Sequence, residues 1–370
     1  MPEMVTKKKN HMNLWLVLGS GVLAVLSYVI VTKVLKVYLL KRITDDLTTG
    51  GRIGYFLLCA GLYLAELWLV EIFFGEGIKW LMDRESYVAI RKSSLENPRA
   101  ALFYEEYRKK MRKITFWNQM IMNVILVGLL MLFTLKGGSA SEFQALVILV
   151  CILALLNPVD RNFRKKEKAK RDKILYEDCD PALAYDVHEL FRMDPMMRQE
   201  RNMHLMQQAI ACFYLCDYRE MRRKLDCMEK VLLQNVIALR IGLKGLASID
   251  EGRPDLYQQC VAELDLTMQR LKMTVATQKV FNEVRKDWQG RLDLSSEDPS
   301  RAEPYVREYM AQGKKPIFWM DATFQMAWIQ LSRGEKEQAR ANLQLVGERA
   351  GTMDIRDRAV RILRSMNDNS

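Results

Sequence analysis

The chain of 370 residues is poor in the side chains that do chemistry: it has three histidines and seven cysteines. His11 and His188 stand alone in the sequence, and no serine or cysteine has a local partner that would make it a nucleophile. The cysteines, at 59, 151, 179, 212, 216, 227 and 260, are odd in number and lack the tight spacing of a secreted disulfide framework. That excludes a small stapled scaffold and fits reduced thiols on the cytoplasmic side. Gly19 with Gly21, and Gly50 with Gly51, match no phosphate-binding loop. Cys212, Cys216 and Cys227 with His204 invite a zinc reading, but their spacing is not that of a zinc site, and cysteine in a helix seam reads as core. No metal and no cofactor is expected, and an enzyme is the less favoured class. Strand-like alternation is missing as well, so the fold class is all-α.

Long apolar runs are present in the first half and absent after Pro158. Runs at about 14–32, 53–74, 117–135 and 142–158 approach the roughly 20 residues that an α-helix needs to cross about 30 Å of hydrocarbon. Residues 1–160 are therefore expected to form a polytopic helical membrane region, with a cytoplasmic segment at 75–116. The first run has no small-residue cleavage site and reads as an uncleaved helix. Lysine and arginine before Trp117 and after Pro158 place those ends in the cytoplasm. The loop holding Lys33, Lys36, Lys41, Arg42 and Arg52 would then face outward, so the sequence leaves four spans or three. Glu66 and Glu71 fall within the second run, where a carboxylate costs several kcal/mol unless it is protonated or paired. Five residues apart, they point about 140° from each other, which argues against a shared site.

The net charge of +11 is concentrated rather than spread. Between residues 161 and 175, Arg161, Arg164, Lys165, Lys166, Lys168, Lys170, Arg171 and Lys173 are opposed only by Glu167 and Asp172. Residues 174–370 are near neutral. Next to a spanning helix such a block predicts a juxtamembrane linker touching anionic headgroups, with no nucleic acid as partner.

A cytoplasmic helical domain is expected over 176–370. Asp180 before Pro181 is a helix cap followed by a first-turn proline. Apolar residues then recur every three or four positions, broken at Asp217, Gly252 to Asp255, Ser295 to Pro299 and Gly334. This predicts helices of some 12 to 20 residues with turns every 35 to 45. Ala327, Gly334, Ala339 and Leu343 take the small, turn, small and bulky positions of a helical hairpin. Ala209, Cys212, Asp217, Tyr218 and Leu225 repeat the layout, as do Gly245 and Gly252. On these residues the stretch 196–366 resembles tetratricopeptide-type repeats, as in bacterial membrane proteins that carry such a domain. Cys216 stands where glycine is usual, and Met221 and Tyr257 replace small residues, which predicts wider helix packing. Phe318, Trp319, Phe324 and Trp328 fall at helical intervals and read as core.

The resemblance implies a solenoid whose exposed face takes a protein or peptide. The expected function is a protein-interaction scaffold anchored in the cell membrane, with the bilayer and a cytoplasmic polypeptide as partners. A small transporter or membrane-embedded enzyme centred on Glu66, with the repeats regulatory, is the alternative.

Overall fold

The computed structural model of the protein describes residues 84–111, 113–114, 158–194, 200–228, 233–270, 274–312 and 315–368. Every regular element among them is helical. In chain order they are α1 (Arg84–Glu96), α2 (98–111), α3 (Pro158–Tyr176), α4 (Pro181–Met193), α5 (Arg201–Tyr214), α6 (Tyr218–Asp226) and α7 (Gln234–Asp250). Then follow α8 (Pro254–Arg270), α9 (Val275–Leu294), a 3-10 turn at Pro299–Ala302, α10 (Glu303–Gln312), α11 (Pro316–Ser332), α12 (Lys336–Arg349) and α13 (Asp354–Asp368).

The expected membrane architecture is corrected: no helix among the described residues is long and apolar enough to cross a membrane. The longest, α9 at 20 residues, carries Lys279, Glu283, Arg285, Lys286 and Asp287 in its middle, and the apolar α11 has 17 residues with Asp321 and Gln325 among them. The runs 14–32, 53–74, 117–135 and 142–158 lie outside the described residues, save for Pro158, as do Glu66 and Glu71.

Two compact units divide the chain, one of residues 1–89 with 109–162 and one of Ile90–Arg108 with Phe163–Ser370. The second begins before the domain start expected at 176. It includes most of α3, so the basic block 161–175 is helical, and it includes Tyr104 and Tyr107 of α2, both buried.

Within this second unit the helices pair as hairpins, α5 with α6, α7 with α8 and α11 with α12. The three turns share one construction. Cys216, Gly252 and Gly334 adopt left-handed φ values of 55°, 64° and 77°. The N–H of the residue after each bonds back into its own helix, Asp217 to Cys212 O at 3.0 Å, Arg253 to Ser248 O at 2.8 Å and Glu335 to Gln330 O at 2.8 Å. This pattern satisfies carbonyls that a helix end otherwise leaves bare. Asp217 then caps α6 by accepting from Glu220 N at 3.0 Å, and Asp180 caps α4 by accepting from Leu183 N at 3.0 Å.

Packing between hairpins relies on small residues beside large ones. Trp288 of α9 is buried and donates to Gly242 O of α7 at 3.0 Å, with its ring lying flat where a Cβ on Gly245 would stand. Ile241, Leu264 and Phe281 complete this core, each fully buried, at about 1.5–3 kcal/mol per side chain. Ala209, Ala327 and Ala339 are also fully buried in their hairpins.

An open solenoid touches only its neighbours along the chain, and here the structure departs from expectation. The turn after α12 meets the turn between α3 and α4. Thr352 N donates to Cys179 O at 3.1 Å, Thr352 Oγ1 to Asp180 Oδ1 at 2.8 Å, and Ala182 N to Thr352 Oγ1 at 3.1 Å. In the other turns the equivalent N–H bonds to its own helix; in this one it bonds across the unit. Gly351, at φ 55°, sits directly against the Cys179 carbonyl, with no room for a Cβ.

Gly252→Ala and Gly351→Ala separate conformation from space. Nothing lies within 4 Å of a Cβ on Gly252, so its cost is that of a left-handed alanine, about 1 kcal/mol. Gly351→Ala adds backbone overlap with Cys179 and is expected to cost roughly 1–3 kcal/mol more. Urea unfolding midpoints of the two variants measure the difference; equal midpoints would show that the contact between turns contributes nothing.

Candidate functional site

Two polar clusters interrupt the apolar interior of the second unit. The first joins α2 to α5 and is sealed. His188 of α4 and His204 of α5 are buried with Nδ1 atoms 2.9 Å apart, so one ring donates and the other accepts. Glu200 Oε2 stands 3.9 Å from His204 Nε2, beyond hydrogen-bond distance. Arg171 of α3, 3% exposed, lies 4.6 Å above the Phe191 ring and 5.7 Å from that of Tyr107, with Nη2 3.6 Å from Glu200. Tyr104 donates to Asp194 at 2.7 Å across the same interface.

The basic block thus divides by face. Glu167, Arg171, Ile174 and Leu175 are the buried stripe of α3, while Arg164, Lys165, Lys166, Lys168, Lys170 and Lys173 are exposed. Arg164 reaches Glu200 at 3.6 Å, Lys170 bonds Glu167 at 2.6 Å and Lys173 approaches Asp178 at 3.7 Å. Arg161 also lies on α3. His188, isolated in sequence, and His204, grouped there with cysteines, are partners of each other. Among the described residues no set of three His, Cys, Asp or Glu side chains is placed to hold a metal ion.

Beside the histidines, Lys224 of α6 is also buried, with Nζ 3.0 Å from Glu189 Oε2 and 3.4 Å from Glu220 Oε1. Burial alone would raise the Glu189 carboxyl, but hydrogen bonds from Arg192 and Gln208 and the Lys224 charge bring it down to about 2.

The second cluster is open. A cleft of about 380 Å³ forms where the C-terminal ends of α5, α7 and α9 converge on the middle of α11 and the start of α13. Arg291 of α9 anchors its wall, with Nε 2.8 Å from Asp250 Oδ1 and Nη2 3.9 Å from Asp321 Oδ1. Burial works against the Arg291 charge, yet Asp321 and Asp250 more than reverse that and its pKa rises. Burial raises the Asp321 carboxyl, with Arg291 opposing. Tyr218 donates to Asp250 Oδ2 at 3.0 Å, and Gln325 Nε2 donates to Asp321 Oδ2 at 2.8 Å. Arg358 of α13 is held by Asp354 at 2.5 Å and by Cys216 Sγ at 3.5 Å. The Cys216 thiol, pushed up to about 11 by burial, is protonated at neutral pH.

The aromatic run on α11, expected as core, is only partly covered. Phe318 and Trp319 are half-buried, Trp328 is 49% exposed at the cleft, and Phe324 lines the wall half-buried. Asp321, Phe324, Gln325 and Trp328 follow the i, i+3, i+4, i+7 spacing of one helix face. Sequence reasoning missed this stripe, although an aspartate and a glutamine four apart inside an otherwise apolar helix are a readable signal for a polar seam.

No protein-family model matches the chain, and no curated protein or solved structure matches it. The described fold and site define a class only: an array of helical hairpins, joined turn to turn, with a cleft lined by aromatic rings and by arginines paired with aspartates.

The histidine pair sets a pH dependence. Burial, with the Arg171 charge, holds His204 down to about 3 and His188 well below 6.5. Between those limits the unfolded chain binds protons that the folded one refuses, so stability is full above pH 6.5 and falls as pH drops toward 3. The slope is up to about 1.4 kcal/mol per pH unit for each histidine. Urea unfolding at pH 7.5, 6 and 5 is expected to show this decline, and His188→Asn to reduce its slope; a slope unchanged in His188→Asn would remove the histidines as its source.

Proposed function

We propose that the second unit is a protein-interaction scaffold that offers its cleft to a polypeptide partner at the cytoplasmic face of a membrane. The carrying observation is Trp328, a large aromatic left 49% exposed beside Phe324 on a concave surface. Isolated apolar side chains in solvent are ordinary, but tryptophan and arginine gathered in a cleft have the composition of a binding hot spot. Arg291, Arg358, Tyr218 and Trp328 supply that composition here.

Binding suits the cleft better than catalysis. Its cysteine is held in the weakly nucleophilic thiol form, and no histidine lies among its lining residues. The exposed lysines of α3 support a membrane surface as the second partner, since each basic residue near anionic lipid contributes about 1 kcal/mol.

Affinity recovery with the tagged full-length chain tests this reading. The expected result is one polypeptide retained in stoichiometric amount, with recovery reduced at least fivefold by Trp328→Ala, on the scale of a hot-spot aromatic of roughly 1–2 kcal/mol. Charge reversal of Lys165, Lys166 and Lys168 should leave that recovery intact while weakening binding to anionic vesicles. Equal recovery by the Trp328→Ala chain would overturn the assignment of the cleft.

A further inference from the structure

The cleft is lined by elements far apart in the chain. Cys216 and Tyr218 come from the junction of α5 and α6, whereas Ile355 and Arg358 come from α13, the last helix. These two parts of the wall meet where Arg358 Nη2 donates to Cys216 Sγ at 3.5 Å, a weak bond to a thiol. Arg358 is aimed there by Asp354, one turn earlier on α13. How α13 enters its place therefore decides how this side of the cleft is shaped.

Thr352 stands at that entrance, two residues before α13 begins. Its N–H donates to Cys179 O at 3.1 Å. Its hydroxyl donates to Asp180 Oδ1 at 2.8 Å and accepts from Ala182 N at 3.1 Å, so both of its hydrogen-bonding roles are filled. Ala182 lies in the first turn of α4, where N–H groups find no partner within the helix. Asp180 caps the next of these, Leu183 N, at 3.0 Å. Thr352 thus serves as a second cap for α4, supplied from 170 residues away. The side chain itself lies at the surface, so water can reach Ala182 N and Asp180 if the hydroxyl is lost. Met353 and Ala359, buried on either side of Ile355, would still hold α13 to the unit.

We propose that Thr352 is a positioning residue for the cleft: by capping α4 it holds α13 as a strap whose first turns form the wall against Cys216, and its release opens that wall. This rests on the reading of the cleft as the interaction site and names the residue that sets its shape. The anchor of the strap is the turn that follows α3, where Lys173 approaches Asp178 at 3.7 Å, so the basic helix and the cleft share one connection.

The test is the rate at which iodoacetamide alkylates Cys216 in the full-length chain, separated from the other cysteines by peptide mapping. Cys216 is half-buried and its thiol is raised by burial, so it reacts only when the wall opens. Thr352→Val keeps the branched shape and removes both hydroxyl bonds, and alkylation at least fivefold faster is expected. Thr352→Ser, which keeps the hydroxyl, should restore the original rate. Gly334→Ala adds the strain of a left-handed alanine with nothing within 4 Å of its Cβ, and should leave the rate within about twofold. A rate unchanged by Thr352→Val, a rate not restored by serine, or an equal acceleration in Gly334→Ala overturns the proposal, the last because it would report general loosening. If alkylation ignores Thr352 while partner recovery depends on Trp328, the strap is wrong and the scaffold reading survives. If alkylation answers to Thr352 while recovery is indifferent to Trp328, the strap stands and the scaffold reading fails.

Discussion

The ion triad of Arg291 with Asp250 and Asp321 is the constraint on which the rest of the second unit depends. Its three members sit on α9, α7 and α11, and Tyr218 extends the connection to α6 through Asp250. A buried ion pair adds little net stability, because desolvation offsets much of its attraction, yet removing one partner strands a charge at a cost of several kcal/mol. Such a group therefore acts mainly on geometry. It fixes the end of α7 against the end of α9 and the middle of α11, and the cleft is the space those three leave between them.

The two polar clusters show how similar ingredients give opposite results. Around His188 and His204, an arginine, tyrosines and a phenylalanine stack over the polar atoms and exclude solvent, so the pair is held neutral and serves the joint between α4 and α5. Around Arg291 the rings of Phe324 and Trp328 stand at the side, and a cleft opens beside the polar atoms. The difference lies in where the aromatics fall on their helices. Phe191 of α4 stacks on His204 of α5, with centroids 5.6 Å apart, whereas Trp328 is three residues from Gln325 and lines the cleft beside it.

Much of the hairpin layout was legible in the sequence. Asp180 with Pro181, Asp217, Gly252 and Gly334 mark helix ends by local chemistry, and local chemistry decides them. Cys216 is instructive: its departure from glycine was visible, and the fold holds it left-handed anyway, because the turn's hydrogen bonds and the Asp217 cap outweigh the strain of about 1–2 kcal/mol. Other features were not legible because they depend on contacts distant in sequence. Arg171 looks like its basic neighbours until Phe191 and Tyr107 arrive from other helices. His188 looks isolated because its partner is on the next helix. Trp328 shares its apolar pattern with true core residues, and only the position of α11 beside three helix ends shows that it faces a cleft.

The bond between Thr352 and the Cys179 carbonyl has a consequence for how this array folds and diversifies. In a linear stack, each hairpin gains stability from its neighbours, the ends fray first, and hairpins can be gained or lost without disturbing distant ones. Joining the fourth-helix entrance to the last turn ties the two ends together, so loosening either one loosens both, and the unit melts as a single cooperative body. It also fixes the hairpin count, since one more or one fewer would carry residue 351 away from residue 179. The contact joins positions about 170 residues apart, so it can form only after nearly all of the second unit has been made, a high-contact-order link in an otherwise locally connected array.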